Sequence, residues 1–136
     1  MKQIKLMNKK DYLRVLTFLE DKTKYIELLQ LLGDENESAF LEQHKEQLIS
    51  QKYVSNWLDS GSKGLLSKFD FSLHTKKEFF QKLREADAFF YNHVSDFFIE
   101  SVNQTDFGLT NIAFFDIHGK LLFYTITHEG LAWIKD

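Results

Sequence analysis

Residues 109–127 read LTNIAFFDIHGKLLFYTIT, and this stretch indicates the fold class. Two apolar, strand-like segments, Leu109–Asp116 and Leu121–Thr127, flank the short connection Ile117-His118-Gly119. Gly119 stands where a tight turn needs a positive φ, which glycine adopts without steric cost. The spacing therefore predicts an antiparallel hairpin that turns at Asp116–Lys120.

A third strand is predicted after this hairpin. Glu129-Gly130 is expected to turn the chain again, and Leu131–Ile134 is apolar enough to form a short last strand. Residues 109–135 are thus predicted to form an antiparallel β-meander. At the opposite end of the chain, Gln3–Met7 is predicted to form a short edge strand.

The chain before the meander shows mainly helical spacing of apolar residues. Asn8 is a candidate N-cap for the first helix, which either runs to Leu32 or is broken into two helices at Asp21–Thr23. Gly33 is a candidate C-cap that precedes a loop. Ser38 is expected to open the next helix, with Ser60–Gly64 ending it as a flexible linker. The apolar positions on these helices are Tyr12, Val15, Leu16, Phe18, Leu19, Tyr25, Ile26, Leu28, Leu29 and Leu32, then Phe40, His44, Leu48, Ile49, Tyr53, Trp57 and Leu58.

A further helix is indicated by a capping box. Thr75 and Glu78 form a T-x-x-E sequence directly before Phe79-Phe80. We favour a helix that continues to about Asn103, because no glycine or proline interrupts it. Residues 94–103 also alternate as a strand would, so both readings stay open.

The predicted fold class is α+β, with N-terminal helices over about residues 8–103 packed on the C-terminal meander. A chain of 136 residues is expected to form a single domain, residues 1–136. Phe114-Phe115 and residues 121–124 are apolar on both sides of the pleat. Either helices cover both faces of the sheet, or one apolar face meets a partner.

Composition excludes several classes of function. There is no cysteine, so disulfides, thiolate metal sites and cysteine nucleophiles are excluded, and a cytoplasmic location is expected. No apolar run reaches the roughly 18 residues that span a bilayer, and no signal peptide is recognisable. Two arginines against fifteen lysines disfavour a nucleic-acid or phosphoryl-transfer site, because bidentate phosphate recognition favours arginine. We expect neither a membrane nor a nucleic acid as partner.

Asp116, His118, His128 and Glu129 are possible metal ligands close together in sequence. The turn and the far end of the next strand are, however, about 20 Å apart, whereas metal–ligand distances are about 2 Å. We therefore expect no metal and no cofactor. Nucleotide-binding and hydrolase motifs are also missing, and no catalytic residue is assigned. The alternative is a small enzyme or ligand-binding domain with a pocket lined by His74, His93 or His128.

Charge is distributed unevenly along the chain. Residues 1–84 carry 15 basic and 12 acidic side chains, whereas residues 85–136 carry 2 and 8, giving net charges of +3 and −6. Acidic groups beside aromatic residues such as Phe107, Tyr124 and Trp133 suit binding of a basic protein. Ordinary surface carboxylates and core aromatics are the alternative explanation. The predicted partner-binding residues are Asp87, Asp96, Glu100, Asp106, Asp116 and Glu129.

The C-terminal segments FGLTNIAFFD, residues 107–116, and HGKLLFYTITHEG, residues 118–130, are predicted to form a closing hairpin with a T-x-T-H-E-G ending. This hairpin resembles the tails of several small proteins of one kind. In these residues, in size and in acidity, the chain resembles the immunity proteins of bacterial polymorphic toxins, including those of contact-dependent growth inhibition. The resemblance covers about the last thirty residues. It implies a protein that neutralises a basic, nucleic-acid-cleaving toxin domain by direct binding. It assigns no individual functional residue.

Overall fold

The computed structural model of the protein describes residues 1–4, 9–32, 44–85, 110–127 and 131–135. These residues form seven strands and two α-helices. A short 3₁₀ turn, Lys45–Gln47, lies directly before the strand that begins at Leu48. In chain order the elements are β1 (Lys2–Ile4), α1 (Lys9–Lys22), β2 (Tyr25–Leu31), β3 (Leu48–Trp57), β4 (Ser62–Asp70), α2 (Leu73–Glu85), β5 (Asn111–Phe115), β6 (Leu121–Ile126) and β7 (Leu131–Ile134). The strands make one antiparallel sheet in the order β1-β7-β6-β5-β2-β4-β3. The α+β class is confirmed.

The C-terminal meander is present as predicted. Strands β5, β6 and β7 are neighbours, and the turn between β5 and β6 is closed by the Asp116 N–H, which donates to the Lys120 carbonyl at 2.9 Å. Gly119 has φ 76° at this turn, as the sequence required. The edge-strand prediction for Gln3–Met7 is confirmed at its start, because β1 lies at one end of the sheet. Residues 5–8, including the candidate cap Asn8, lie outside the described residues.

The helix predicted through Tyr25–Leu32 is wrong. Residues 25–31 form β2, a central strand paired with β4 on one side and β5 on the other. Ile26 and Leu28 are buried on one face of the sheet and Leu29 on the other. A strand buried on both faces has a nearly continuous apolar sequence, and such a run also satisfies helical spacing over two turns.

The helix predicted from Ser38 to Leu58 is also wrong over the residues that the structure describes. Residues 48–57 form β3, which pairs with β4. The supposed linker Ser60–Gly64 contains the end of the tight turn of this hairpin and the start of β4. Gly64 lies so close to β2 that a Cβ there would be 2.0 Å from the Gln30 carbonyl oxygen. The helices therefore do not all precede the strands, because β2, β3 and β4 come from the region predicted to be helical.

Helix α2 confirms the prediction of a helix around Phe79-Phe80, but its cap differs. The helix begins at Leu73, and Ser72 Oγ accepts a 3.3 Å hydrogen bond from the Thr75 N–H. Ser72 is thus the N-cap, and Thr75 lies inside the first turn. The helix is described to Glu85, and the predicted continuation to Asn103 lies outside the described residues, as do Gly33 and Ser38.

Both helices pack on the same face of the sheet, called here the helix face. Tyr12, Leu16 and Leu19 of α1 and Phe79, Phe80 and Leu83 of α2 are buried against sheet residues that include Phe69, Phe114 and Phe123. Stacked and edge-on ring contacts link Phe71, Phe79, Phe80, Phe114 and Phe123. These rings fill the main core.

Polar contacts fix the two helices relative to each other. The buried Tyr12 hydroxyl donates to the Leu83 carbonyl, and burial raises the pKa of this hydroxyl far above its usual value. Arg84 donates to Glu20 at 2.5 Å across the same pair of helices.

Among the described residues, no helix has both the length and the apolar character needed to cross a bilayer.

Candidate functional site

The sheet face opposite α1 and α2, called here the second face, carries one row of residues that runs across six strands. Successive register pairs join Lys68 to Glu27, Glu27 to Ala113, Ala113 to Tyr124, Tyr124 to Trp133 and Trp133 to Gln3. Side chains at paired positions on neighbouring strands point to the same side and lie next to each other. The row therefore places a carboxylate and two aromatic rings on one surface.

Tyr124 and Trp133 form a stacked pair on this row. Their ring centroids are 4.7 Å apart with an interplanar angle of 10°. Trp57, from the end of β3, meets Tyr124 edge-on, with 6.1 Å between centroids and 89° between planes. Such ring pairs contribute about 1 kcal/mol each beyond the area that they bury. The three rings are called here the aromatic trio.

Trp57 is held in place by a polar contact as well as by packing. Its indole Nε1–H donates a 3.0 Å hydrogen bond to Glu27 Oε1. Trp57 is 4% exposed, so this donor is satisfied by the protein itself. The small side chain of Ala113 separates Glu27 from Tyr124 in the row, which leaves room for the larger rings around it.

A cleft of about 720 Å³ opens beside the aromatic trio. Tyr124 and Trp133 form part of its wall, and both are only partly buried. Burial raises the pKa of the Tyr124 hydroxyl, so this group stays a neutral hydrogen-bond donor at neutral pH. The remaining lining residues are Leu31, Leu32, Leu58, Asp59, Ser60, Gly61, Ser62, Lys63, Ile126 and Leu131.

One rim of the cleft is the β3–β4 turn. Leu58 and Asp59 have positive φ values of 51° and 57°, and Gly61 follows with 78°. The turn satisfies its own polar groups, since the Gly61 N–H donates to Asn56 Oδ1 at 2.7 Å and Ser60 Oγ donates to the Trp57 carbonyl at 2.6 Å. This internal bonding holds the exposed Asp59 carboxylate at the rim.

Of the predicted partner-binding residues, the structure describes Asp116. The other predicted positions, Asp87, Asp96, Glu100, Asp106 and Glu129, lie outside the described residues. Asp116 does not line the aromatic cleft. Its Oδ1 accepts hydrogen bonds from the backbone N–H groups of His118 at 2.8 Å and Lys120 at 2.9 Å. The carboxylate therefore stabilises the turn that it begins.

Hydrogen bonding lowers the pKa of Asp116. The largest cause is the Lys120 N–H, followed by the His118 N–H and by the charges of His118 and Lys135. Asp116 lines a second concavity of about 630 Å³, which four lysines and Asp21 also line. The lysines are Lys22, Lys24, Lys76 and Lys135. The described acidic residue of the predicted set is thus surrounded by basic groups.

The two histidines whose side chains the structure describes, His44 and His118, have different surroundings. His44 is buried against the rings of Phe71 and Phe79, and His118 is exposed in the β5–β6 turn. His74 is part of α2, whereas His93 and His128 lie outside the described residues. Across residues 1–4, 9–32, 44–85, 110–127 and 131–135, no three histidine or acidic side chains lie close enough together to hold a metal ion.

No protein-family model matches the chain, and neither a curated protein nor a solved structure is significantly similar to it. The candidate site is therefore argued from the geometry of the second face.

The sequence predicts Tyr124 and Trp133 as aromatic anchors for a partner, whereas Glu27 and Trp57 are not predicted as site residues. Glu27 was placed on a helix, where a carboxylate is ordinary. Trp57 was placed on a different helix. A signal that would have found them is the alternation Tyr25-x-Glu27-x-Leu29-x-Leu31, which puts Glu27 in line with apolar residues on one face of a strand.

Proposed function

We propose that this chain is a protein-binding inhibitor, of the type formed by immunity proteins, that neutralises a basic, nucleic-acid-cleaving toxin domain by direct binding. The observation that carries the proposal is the stacked Tyr124–Trp133 pair, which lines an open cleft with Asp59 at its rim. Rigid aromatic side chains are typical anchors of protein interfaces, because they bury a large area at a low cost in conformational entropy.

The chemistry of the cleft suits a basic partner. The face of an indole or phenol ring attracts a lysine or arginine side chain by about 0.5–2 kcal/mol, depending on solvent exposure. Asp59 offers a carboxylate at the same rim, and Leu58, Ile126 and Leu131 supply apolar wall for the aliphatic part of such a side chain. One lysine, Lys63, lines the cleft and would have to turn towards solvent on binding.

The charge of the C-terminal part of the chain supports the same kind of partner. Residues 85–136 carry a net charge of −6, which would attract a basic domain over distances comparable with the Debye length. Long-range attraction accelerates association, while the aromatic contacts set the lifetime of the complex. A domain that cleaves nucleic acid needs a basic face, and an inhibitor that covers this face excludes the substrate.

The proposal assigns inhibition to binding and requires no chemistry from this chain. The test is to purify the toxin-domain candidate encoded by the neighbouring gene and to titrate this chain into its nuclease assay. Inhibition should be complete at one equivalent, and Trp133→Ala should require a large excess. Ile117→Ala, which alters an exposed apolar residue on the β5–β6 turn, is the matched control and should inhibit normally. Undiminished nuclease activity at a tenfold excess of this chain would reject the proposal for that partner.

A further inference from the structure

A concavity of about 630 Å³ lies where α1 ends, beside the first turn of α2 and the β5–β6 turn. Phe18 and Leu122 form part of its wall, and both belong to the main core between the helices and the sheet. Small-molecule sites usually have volumes of about 300–1,000 Å³ and mainly apolar walls. The concavity therefore has a size and an apolar surface that suit a small organic molecule.

Three lysines of this concavity have no acidic partner in the described parts of the chain. Lys24 forms an ion pair with Asp70 at 2.7 Å. Lys22, Lys76 and Lys135 also line the concavity, and none of them has a described carboxylate within ion-pair distance. Like charges around one concavity destabilise each other, and an anion between them removes this cost. The lysines therefore indicate an anionic ligand.

Acidic residues balance part of the lysine charge. Asp21 and Asp116 line the concavity, and Asp70 is the partner of Lys24. Asp116 Oδ1 already accepts hydrogen bonds from two backbone N–H groups of its turn. The four lysines and three aspartates leave an excess of one positive charge. A ligand with a single negative charge, such as a carboxylate, matches this excess.

The lysine charge lies directly beside the apolar wall. Lys22 Nζ is 4.6 Å from the centroid of the Phe18 ring. An anionic group in contact with Lys22 would therefore have its apolar part within reach of Phe18. The concavity suits a molecule in which a carboxylate is joined to an apolar body.

Thr23 offers a hydrogen-bond donor in the same wall. It is 3% exposed, and its Oγ1 has no hydrogen-bond partner among the residues that the structure describes. Its carbonyl is already used, because it accepts a 3.1 Å hydrogen bond from Lys76 Nζ. Buried hydroxyl groups usually have a partner, and a carboxylate oxygen is a suitable acceptor for this one.

We propose that this concavity binds a small apolar molecule that carries one carboxylate. Lys22 and Lys135 contact the carboxylate, and Phe18 and Leu122 contact the apolar part. The residues that line this concavity and those that line the aromatic cleft share no member. The inference is thus independent of the proposed function.

Octanoate, octanamide and acetate test the two parts of the ligand separately, in NMR titrations of the full chain. Octanoate should shift the backbone amide signals of Thr23, Leu122 and Lys135 in a saturable way. Octanamide has the same apolar length without the charge, and acetate has the charge without the apolar body, so both should bind more weakly. Equal binding of octanoate and octanamide, octanoate shifts confined to other residues, or no shift at all would overturn the proposal.

Lysine variants test the charged contacts. Lys22→Gln and Lys135→Gln should each raise the octanoate Kd about two- to fivefold, as expected for the loss of one exposed ion pair. Lys52→Gln changes the net charge equally at an exposed position on β3, and this control should bind octanoate like the wild type. A Kd that the double variant Lys22→Gln/Lys135→Gln leaves unchanged, or that Lys52→Gln raises equally, would contradict the assignment.

Discussion

The indole Nε1 of Trp57 donates a 3.0 Å hydrogen bond to Glu27 Oε1, which joins the end of edge strand β3 to central strand β2 across the intervening β4. This contact orients the ring that meets Tyr124 edge-on. It is a structural support of the aromatic cleft, since both Tyr124 and the β3–β4 turn line that cleft.

Removing the Trp57 donor should destabilise the protein. Trp57→Phe keeps an aromatic ring but leaves the Glu27 carboxylate without this donor, at an expected cost of about 1–3 kcal/mol. Glu27→Gln keeps an acceptor oxygen and should cost less. Urea unfolding followed by circular dichroism measures both free energies. Equal and negligible effects would show that the hydrogen bond does not hold the ring.

Among the glycines at described positions, Gly64 should lose the most stability when it is replaced by alanine. A Cβ there would be 2.0 Å from the Gln30 carbonyl oxygen, so Gly64→Ala requires β2 and β4 to separate. We expect a loss above about 3 kcal/mol, in the range of severe overpacking. Gly61→Ala is the control, because its site is open and its cost of about 1–2 kcal/mol comes from a positive φ. The two melting temperatures decide the order.

The side chain of buried Thr125 on β6 accepts a hydrogen bond from a backbone N–H group of β5. Thr125 Oγ1 accepts a hydrogen bond from the Ile112 N–H at 3.1 Å and lies 2.9 Å from Thr127 Oγ1. Thr125→Val keeps the shape but removes this acceptor, and should destabilise the fold by about 1–3 kcal/mol. Hydrogen exchange of the Ile112 amide should accelerate in this variant. Unchanged protection would mean that another group satisfies the amide.

Asp116 should make stability depend on pH in the acidic range. Its folded-state pKa is lowered, so its contribution is present above the unfolded-state pKa of about 4 and is lost as pH falls through the folded value. Asp116→Ala should therefore lower the melting temperature at pH 7 and approach the wild type at strongly acidic pH. Asp116→Asn keeps an acceptor for the turn and should lie between them. A pH-independent difference between Asp116→Ala and the wild type would contradict this account.

The sequence predicted the C-terminal half of the described fold better than the N-terminal half, and the reason is local. The β5–β6 hairpin is specified by neighbouring residues, with Gly119 in the turn and short apolar segments on either side. Strand β2 is specified by contacts with β4 and β5, which are distant in the sequence. Its apolar residues satisfy helical spacing equally well, so local reasoning could not separate the two structures.

The candidate site shows the same limit. Tyr124 and Trp133 are predicted from the sequence as possible anchors, because they lie beside acidic residues that suit a basic partner. Their stacking requires the β6–β7 register, and the Trp57–Glu27 contact requires the order β2-β4-β3. Neither is visible without the sheet topology. The acidic set is predicted from charge and from neighbouring aromatic residues in the sequence, and neither says which surface a carboxylate occupies.

The central claim is that the aromatic cleft binds a basic toxin domain, and isothermal titration calorimetry with the domain encoded by the neighbouring gene tests it most directly. The wild-type chain should bind with high affinity that weakens as salt rises. Trp133→Ala should weaken binding by about 30-fold or more, as expected for an interface hot spot of at least about 2 kcal/mol. Ile117→Ala should bind like the wild type. Tight binding that is unaffected by Trp133→Ala, or no binding at any salt concentration, would contradict the account.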